Sequence, residues 1–401
     1  MRDFHLICTN CNKTYEKETR NFKCEVCNEP LELKEVKNGA ITQRNILGQS
    51  LLERYKEFYP FLDVEKAGSL GEGFTPLVFS EELSKYYGIS QLYFKNESQN
   101  PTWSFKDRGT ITGILRAKDL GYTKVGTVST GNMATSVAAY GSMANMETYI
   151  LVKDGIADEK LKPIAIYGPN LIKVDGDYSK LYEESLRIGN ENEIYFINSD
   201  VPFRVEGYKT IAFEICEQLN FNIPDYVIVP TSAGGDIRGI EKGFREFKNS
   251  GLIDKIPKMI AVQAAGCSPI YNAFKENKEN IDRVKEPNTI AHAIENPFPP
   301  SGNQVLRMLK RNGGIVVTVS DEEIIKAQKK MASIGIFGQP ASATSLAAVK
   351  KLVSNNYLKE NDSVVCIVTA SGLKYTAALE EHKLDVIETK LENLNKIIQK
   401  K

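Results

Sequence analysis

Four cysteines open the chain in two pairs, Cys8-x-x-Cys11 and Cys24-x-x-Cys27, with twelve residues between the pairs. Two such knuckles can present four thiolates tetrahedrally to one zinc ion. Asn12 and Asn28 follow the knuckles, where tight turns are needed. A closed set of four protein ligands predicts a structural zinc and not a catalytic one. Two disulfides or four free thiols are the alternatives. Zinc ribbons often bind nucleic acid. However, the first 34 residues mix lysines and arginines with Asp3, Glu16, Glu18, Glu25 and Glu29, and no basic stripe interleaved with aromatics emerges. The ribbon therefore reads as a structural appendage.

A second set of candidates lies between residues 100 and 375. The run Asn100-Pro-Thr-Trp-Ser-Phe-Lys-Asp-Arg-Gly109 begins with a turn signal, and Ser104 is placed to cap a helix starting near Phe105. Lys106 then falls in the first helical turn. A cation there opposes the helix dipole, whereas a neutral amine or a Schiff base suffers less. Lysine serves as a covalent anchor when its charge can be removed. On residue type alone, a solvated lysine in a capped helix fits as well.

Three further segments end strands. Ser129-Thr-Gly-Asn-Met133 puts hydroxyls and amides at a helix start, where anions bind. Pro230-Thr-Ser-Ala-Gly-Gly-Asp-Ile237 has paired glycines whose amides can curl around a phosphate. Asp236 opposes such an anion unless its carboxylate points away. Thr369-Ala-Ser-Gly-Leu-Lys-Tyr375 ends the last strand. Arg204, preceded by Asn198 and Ser199, can offer a bidentate fork to a phosphoryl group. Each of these alone also reads as an ordinary turn or a surface charge.

Taken in order, the segments resemble the tryptophan-synthase-β-like (fold type II) pyridoxal-phosphate enzymes, and among them the threonine synthases. The run Asn100 to Gly109 is similar to the segment that carries the cofactor lysine. Ser69-Leu-Gly-Glu-Gly-Phe-Thr-Pro-Leu77 resembles the family's opening motif. Asn198-Ser-Asp-Val-Pro-Phe-Arg204, continuing Val-Glu-Gly-Tyr-Lys-Thr210, is similar to a segment largely peculiar to threonine synthases. Asn288-Thr-Ile-Ala-His-Ala-Ile294 and Pro340-Ala-Ser-Ala343 also match, so the resemblance runs from about Leu70 to Tyr375.

The resemblance implies roles. Lys106 would bind pyridoxal 5'-phosphate and act as the catalytic base and acid. Phe105, Asn132, Ser232, Ala233, Gly234, Gly235, Asp236 and Thr369 would contact the cofactor, Asn132 at its phenolate oxygen and Thr369 at its ring nitrogen. Ser129 and Thr130 would hold the substrate carboxylate, and Asn198, Ser199 and Arg204 a substrate phosphate. The reaction so implied converts O-phospho-L-homoserine and water to L-threonine and phosphate, as a lyase. The alternatives are a threonine or serine dehydratase, a cysteate-synthase-like paralogue using another phosphorylated amino acid, and a non-catalytic zinc-ribbon binding protein. The chain departs from the family pattern at Trp103, Met133, Ala233, Asp236, Gln339, Ala370 and Ser371, each of which changes polarity or volume near the cofactor.

The elements that must position these residues are legible as period. Runs at 125–129, 149–152, 171–174, 195–197, 226–229, 260–262 and 364–368 are rich in valine and isoleucine and apolar on both faces, as buried parallel strands are. Amphipathic stretches such as 237–247 and 322–333 lie between them. This alternation predicts an α/β fold with doubly wound parallel sheets. The resemblance divides it into two such domains of the fold type II kind. The expected organisation is a zinc ribbon (1–34), the N-terminal part of a large domain (35–100), a small mobile α/β domain (101–200), the large cofactor domain (201–382) and a C-terminal helix (383–401). The segment 35–65 reads as helical around Leu51, Leu52 and Tyr55. Ile387, Leu391, Leu394 and Ile398 read as the apolar stripe of a docked terminal helix.

The whole chain has 401 residues, 42% hydrophobic and 25% charged, with 51 basic and 51 acidic residues. That balance argues against nucleic acid or an anionic membrane as a partner. No signal-like or membrane-length apolar run appears, so the cytoplasm is expected. Cys216, Cys267 and Cys366, scattered in apolar contexts, read as core residues. The expected partners are a small phosphorylated amino acid and a second copy of the chain.

Overall fold

The structure, a computed structural model, describes residues 4–41, 49–64, 67–156, 158–176, 178–382 and 386–399. Parts of the expected 35–65 helix and of the expected tail helix, 42–48, 65, 383–385 and 400–401, lie outside the described residues, as do ribbon residues 1–3.

A small antiparallel sheet comes first: β1 (Leu6–Cys8), β2 (Thr14–Tyr15) and β3 (Leu31–Leu33), ordered β2-β1-β3. Ten strands follow: β4 (Leu77–Phe79), β5 (Gln91–Asn96), β6 (Lys124–Val128), β7 (Glu147–Lys153), β8 (Asn170–Val174), β9 (Ile194–Phe196), β10 (Tyr226–Pro230), β11 (Lys258–Ala264), β12 (Ile315–Val319) and β13 (Ser363–Val368). They form two sheets. One has the order β8-β7-β6-β9 and is parallel throughout. The other has the order β12-β11-β10-β13-β5-β4 and is parallel except at its edge, where β4 runs against β5. Central strands β10 and β13 are buried on both faces, which is why their sequences lack alternation.

Six helices matter to the site: α1 (Lys106–Asp119), α2 (Asn132–Met143), α3 (Pro202–Gln218), α4 (Gly235–Asn249), α5 (Gly302–Asn312) and α6 (Pro340–Ser354). Pro202 starts α3, where its fixed φ suits the first turn and its missing N–H costs nothing. From Pro202 to Cys216 the helix is buried all round, charged residues included, so its charges must find partners inside the protein. Helix α4 lies close against it. A Cβ on Gly243 would stand 2.4 Å from Lys209 O, and one on Gly239 2.7 Å from Val205 O. Lys209 donates to Glu206 within α3 (2.7 Å) and to Glu246 of α4 (2.9 Å), and Lys242 of α4 pairs with Glu206 across this contact.

The ribbon is more than an appendage. Its Leu6, Leu31 and Leu33 belong to the same apolar core as Phe58, Phe213 and Phe247. Glu32 pairs with Arg238 of α4 at 2.7 Å, and Lys242 donates to Leu33 O at 2.7 Å. Glu29 accepts from Asn303, Gln304 and Arg307 of α5. On the other side, Arg116 of α1 donates to Lys17 O, and Phe22 packs edge-on against Tyr195 of β9. The ribbon therefore touches helices α1, α4 and α5 and strand β9. Of its acidic residues, Glu29 and Glu32 are spent on this docking, whereas Glu16 and Glu25 pair with His5 and Lys13 inside the ribbon.

Two local expectations fail. Ser104 does not cap α1: the N-cap is Phe105 with no side-chain cap, and the Ser104 hydroxyl has no partner. The preceding loop is pinned to the end of β13, which leaves that hydroxyl aimed elsewhere. The tail stripe is not docked either. Leu391, in a 3-10 turn at Leu391–Asn393, is 88% exposed, and Ile398, in a helix described over Leu394–Gln399, is 63% exposed. A stripe this short buries too little area to hold against the body.

Candidate active site

The candidate residues gather on loops at the carboxyl ends of the strands, where open parallel sheets bind ligands. Residues 129–133 follow β6, 198–201 follow β9, 231–236 follow β10 and 369–374 follow β13.

The loop before Lys106 is fixed on both sides. Phe105 N donates to Thr369 O (3.0 Å), and Ser371 N to Trp103 O (3.0 Å). Asp107 accepts from Thr102 N (2.7 Å), Thr102 Oγ1 (2.6 Å) and Ser136 Oγ (2.7 Å). Lys374 Nζ donates to Thr102 O at 2.7 Å. These bonds hold Trp103 at φ 61, a left-handed conformation that a bulky residue keeps only when its surroundings impose it.

Lys106 Nζ sits 4.1 Å from the Phe105 ring centroid and has no hydrogen-bond partner among the described residues. Burial first, and then the positive charge of Arg204, pull its pKa down to about 7, against the attraction of Asp236. The side chain remains partly open to the cleft. Arg204, 1% exposed, donates to Asn198 O (3.0 Å) and to the Tyr208 hydroxyl, while its Nε has no partner among the described residues. Asp236 is 7% exposed, and among the described residues neither of its carboxylate oxygens has a partner. Burial raises its pKa to about 8 although Lys106 and Arg204 are near. Its carboxyl is thus not turned out to solvent, the orientation that anion capture by this loop would have asked of an ionised aspartate.

The glycine turn is built for close approach. Gly234 has φ 94, where a side chain would be strained and would meet Val305 Cγ2 at 2.8 Å. A Cβ on Gly235 would stand 3.3 Å from Ser199 O, so the 199 and 235 loops abut. The amides of Ser232 to Gly235 find no acceptor among the described residues. They lead into a 15-residue helix, whose free first N–H groups suit an anion. The amides of Thr130, Asn132 and Met133 at the start of α2 are likewise unspent, while Ser129 Oγ accepts from Gly131 N at 3.3 Å. Asn132 Nδ2 reaches Gln339 Oε1 at 3.3 Å, joining the end of one sheet to that of the other. Thr369 Oγ1 lies 3.0 Å from Ser342 Oγ.

The structure thus brings Lys106, Phe105, Arg204, Asp236, Ser199, Gly235 and Thr369 into one cleft, with Ser232 and Ala233 partly exposed on its glycine turn. It does not bring the Asn198 amide to Arg204. That side chain accepts from Val128 N (3.1 Å) and donates to Ser185 Oγ (3.2 Å), so only its carbonyl meets the guanidinium. Residue reasoning also passed over Asp107, Arg108, Glu97, Glu214 and Lys374. The available signal was the charged run Lys-Asp-Arg at a helix start, too polar for a surface helix that nothing holds. Arg108 is fully buried between Glu97 (2.6 Å) and Glu214 (2.6 Å), and Lys95 also pairs with Glu214 (2.6 Å).

In the ribbon, the sulfurs of Cys8, Cys11, Cys24 and Cys27 all lie within 4.8 Å of one another. Cys8 and Cys27 are 3.3 Å apart, and Cys11 and Cys24 3.6 Å. Zinc bonds of about 2.3 Å in a tetrahedron put sulfurs about 3.8 Å apart, so the donor set fits that ion. The Tyr15 hydroxyl donates to Cys24 Sγ at 3.1 Å, which favours a thiolate.

Comparison with known proteins gives the same picture. The profile of the family described as pyridoxal-phosphate dependent enzyme matches residues 68–370. A threonine synthase of Methanocaldococcus jannaschii is 42% identical over 373 residues, 92% of each chain. A threonine synthase of Methanosarcina acetivorans is 35% identical over 374 residues, again 92% of each. Among solved structures, maize serine racemase superposes with a TM-score of 0.65 at 21% identity, covering 81% of this chain and 92% of that one. The processed form of threonine deaminase isoform 2 from Solanum lycopersicum gives 0.64 at 20% identity, over 81% and 82%. At such identities the two superpositions speak for the fold alone.

Proposed function

The chain belongs to the pyridoxal-phosphate dependent enzymes and, within them, to the threonine synthase family; from that premise we propose that it converts O-phospho-L-homoserine and water to L-threonine and phosphate. The groups present suit the cofactor. A lysine amine near neutrality, a run of unspent amides at a helix start and several buried polar atoms without partners all meet in one cleft.

Lys106 would hold the cofactor covalently, and Phe105, Asn132 and Thr369 would contact it. The amides from Ser232 and Ala233 to Gly234 and Gly235 would take its phosphate, with Asp236 alongside. When bound, the cofactor supplies an electron sink for charge developing at the substrate carbons. The rest falls to side chains of this protein. Ser129, Thr130 and the free amides that start α2 hold the substrate carboxylate. Lys106, whose amine gains and loses a proton near neutral pH, takes the proton from the α carbon and serves as base and acid at the β carbon. Arg204 and Ser199 hold the phosphate and stabilise its departure, with Asn198 contributing through its carbonyl, which orients the guanidinium. The γ carbon, freed of phosphate, takes a proton to become a methyl group, and water adds its hydroxyl at the β carbon.

The observation that carries this reading is the Lys106 amine, without a hydrogen-bond partner among the described residues and held near neutrality beside a buried arginine. The decisive experiment follows phosphate release and identifies the amino acid formed. O-phosphohomoserine, O-phosphoserine, threonine and serine are the four substrates. Phosphate and threonine from the first alone are expected; keto acid from threonine or serine, with no phosphate released from O-phosphohomoserine, would reject the reading.

The same reading assigns a structural zinc to Cys8, Cys11, Cys24 and Cys27. One equivalent of zinc in reduced protein is expected, and its absence from metal analysis would remove the assignment. It also takes the working unit to be a homodimer of the cytoplasm, divided into the ribbon, small and large domains with the boundaries given above. Among the described residues, no helix is long and apolar enough to cross a membrane.

A further inference from the structure

We propose that Asp236 works as a neutral carboxylic acid that donates a hydrogen bond to a phosphate monoester held at the Gly234–Gly235 turn. The inference rests on reading that turn as a phosphate seat, and it names the residue that makes the seat sensitive to pH.

Asp236 is 7% exposed and directly follows the glycine pair at the start of α4. Neither of its oxygens accepts a hydrogen bond from the described residues. An ionised carboxylate buried in that way has lost its water and gained no donor, the costliest state for the group. The helix N-terminus and two cations, Lys106 and Arg204, pull the other way. Arg108 adds to them from α1, Glu97 opposes ionisation, and the Tyr208 hydroxyl of α3, which also faces the group, is held neutral. Burial prevails, and the pKa stands at about 8.

A phosphate arriving on the free amides of Ser232 to Gly235 adds negative charge to the same pocket and pushes further toward the protonated acid. Once protonated, Asp236 has one O–H to give and faces an acceptor. A carboxylic acid kept neutral by its site so that it can donate is an established device in catalysis. The proton sits on Asp236 at neutral pH before the ligand binds, so no co-reactant is needed. Above about pH 8 the acid must first take a proton from solvent, and affinity should fall.

The test uses sulfate as the probe, because it keeps its charge through neutral and alkaline pH. Calorimetric titration of apoenzyme between about pH 6 and about pH 10 should show wild-type affinity falling by about tenfold per pH unit above about 8. Asp236→Asn keeps a donor and loses the proton equilibrium, so its affinity should not share that fall. Asp236→Ala loses the donor, and its affinity should be weaker at neutral pH and equally flat. The Asp236 carboxylate raises the Lys106 pKa, so in both variants Lys106 titrates at or below about 7, under the range where the wild-type slope is read, and the difference above about pH 8 isolates position 236. Repeating the series on holoenzyme, with the cofactor seat filled, identifies the phosphate concerned. A wild-type-specific slope confined to apoenzyme assigns the cofactor's phosphate, and one that persists assigns the substrate's. Equal slopes in wild type and Asp236→Asn would overturn the proposal. If none of the three bound sulfate or cofactor, the phosphate seat itself would be wrong, and the inference would fall with it.

Discussion

Lys106 and Arg108 stand two residues apart in the first turn of one helix, and both are cations pressed into the protein, yet their surroundings are opposite. Each nitrogen of Arg108 donates to protein: Nε to Glu97, Nη1 to Thr210 and Glu214, Nη2 to Thr75, Glu97 and Glu214. Lys106 has no hydrogen-bond partner among the described residues, and beside it Ser104 Oγ, Arg204 Nε and both oxygens of Asp236 are also unpaired. Buried polar atoms are nearly always satisfied, so a cluster that is not marks a place that awaits a ligand. The first cluster fixes the helix. The second, which the first holds in place, accepts the cost of open valences.

The contrast breaks most sharply on the lysine. Lys106→Ala is expected to abolish the cofactor's imine absorption and to lower turnover by about a thousandfold or more. Apoenzyme of the same variant should melt no lower than wild type, because a desolvated amine is removed and no bond is lost. A matching drop in melting temperature would show that Lys106 is structural after all. Arg108→Met should do the reverse. It leaves Glu97 buried without its cation and Glu214 with Lys95 alone, at a cost of about 3–5 kcal/mol in denaturant unfolding. Activity should decline only with the folded fraction.

Legibility from sequence follows the same division. The parallel sheets could be read because burial on both faces leaves continuous valine and isoleucine runs such as Tyr226–Pro230. The cysteine quartet could be read because its spacing is set by one ion. Lys106, Gly234, Gly235 and Arg204 were legible only as ordered motifs; singly, each fits a bland reading. What escaped was long-range pairing. Arg108 meets Glu214 across 106 positions, and Glu29 meets Arg307 across 278, and no local pattern encodes either contact. Asn198 was assigned to substrate because its neighbours pointed there. Its side chain is in fact spent on Val128 and Ser185.

Arg204 lies between the two clusters in character, with two of its nitrogens paired and Nε open. Arg204→Ala should lower kcat/KM for O-phosphohomoserine by about a hundred- to a thousandfold, through kcat as well as KM. Arg204→Lys should recover only part of this, since a point charge does not replace a fork. An unchanged kcat/KM would take Arg204 out of the phosphate site. Acid and base titrations of apoenzyme stability should then separate the clusters by sign. Burial alone would raise the Glu214 pKa, but Arg108 and Lys95 bring it down to about 2. Its contribution is therefore present above the ordinary carboxylate value of 4.5 and lost as pH falls toward 2. Lys106 is lowered from 10.5 to about 7, so the unfolded chain binds its proton more tightly and stability should rise with pH across that interval. Arg108→Met should flatten the acid limb and Lys106→Ala the alkaline one. The converse assignment would contradict the comparison.

The smallest effect tests whether the ribbon belongs with the fixed cluster or with the open one. Glu29 is 13% exposed and accepts from Asn303 (2.7 Å), Gln304 (2.9 Å) and Arg307 (2.6 Å), all on α5. The arrangement is satisfied in the manner of Arg108 but lies nearer to solvent, which weakens each bond by competition with water. Glu29→Ala should cost about 1–2 kcal/mol in urea unfolding, and kcat should not move. Helix α5 nevertheless carries Val305, whose methyl would meet a Cβ on Gly234 at 2.8 Å. If the variant weakens cofactor binding in proportion to its loss of stability, the docked ribbon helps to hold the glycine turn through α5. If stability falls while cofactor affinity stays put, the ribbon braces the outer side of the fold and leaves the open cluster to α1 and α3.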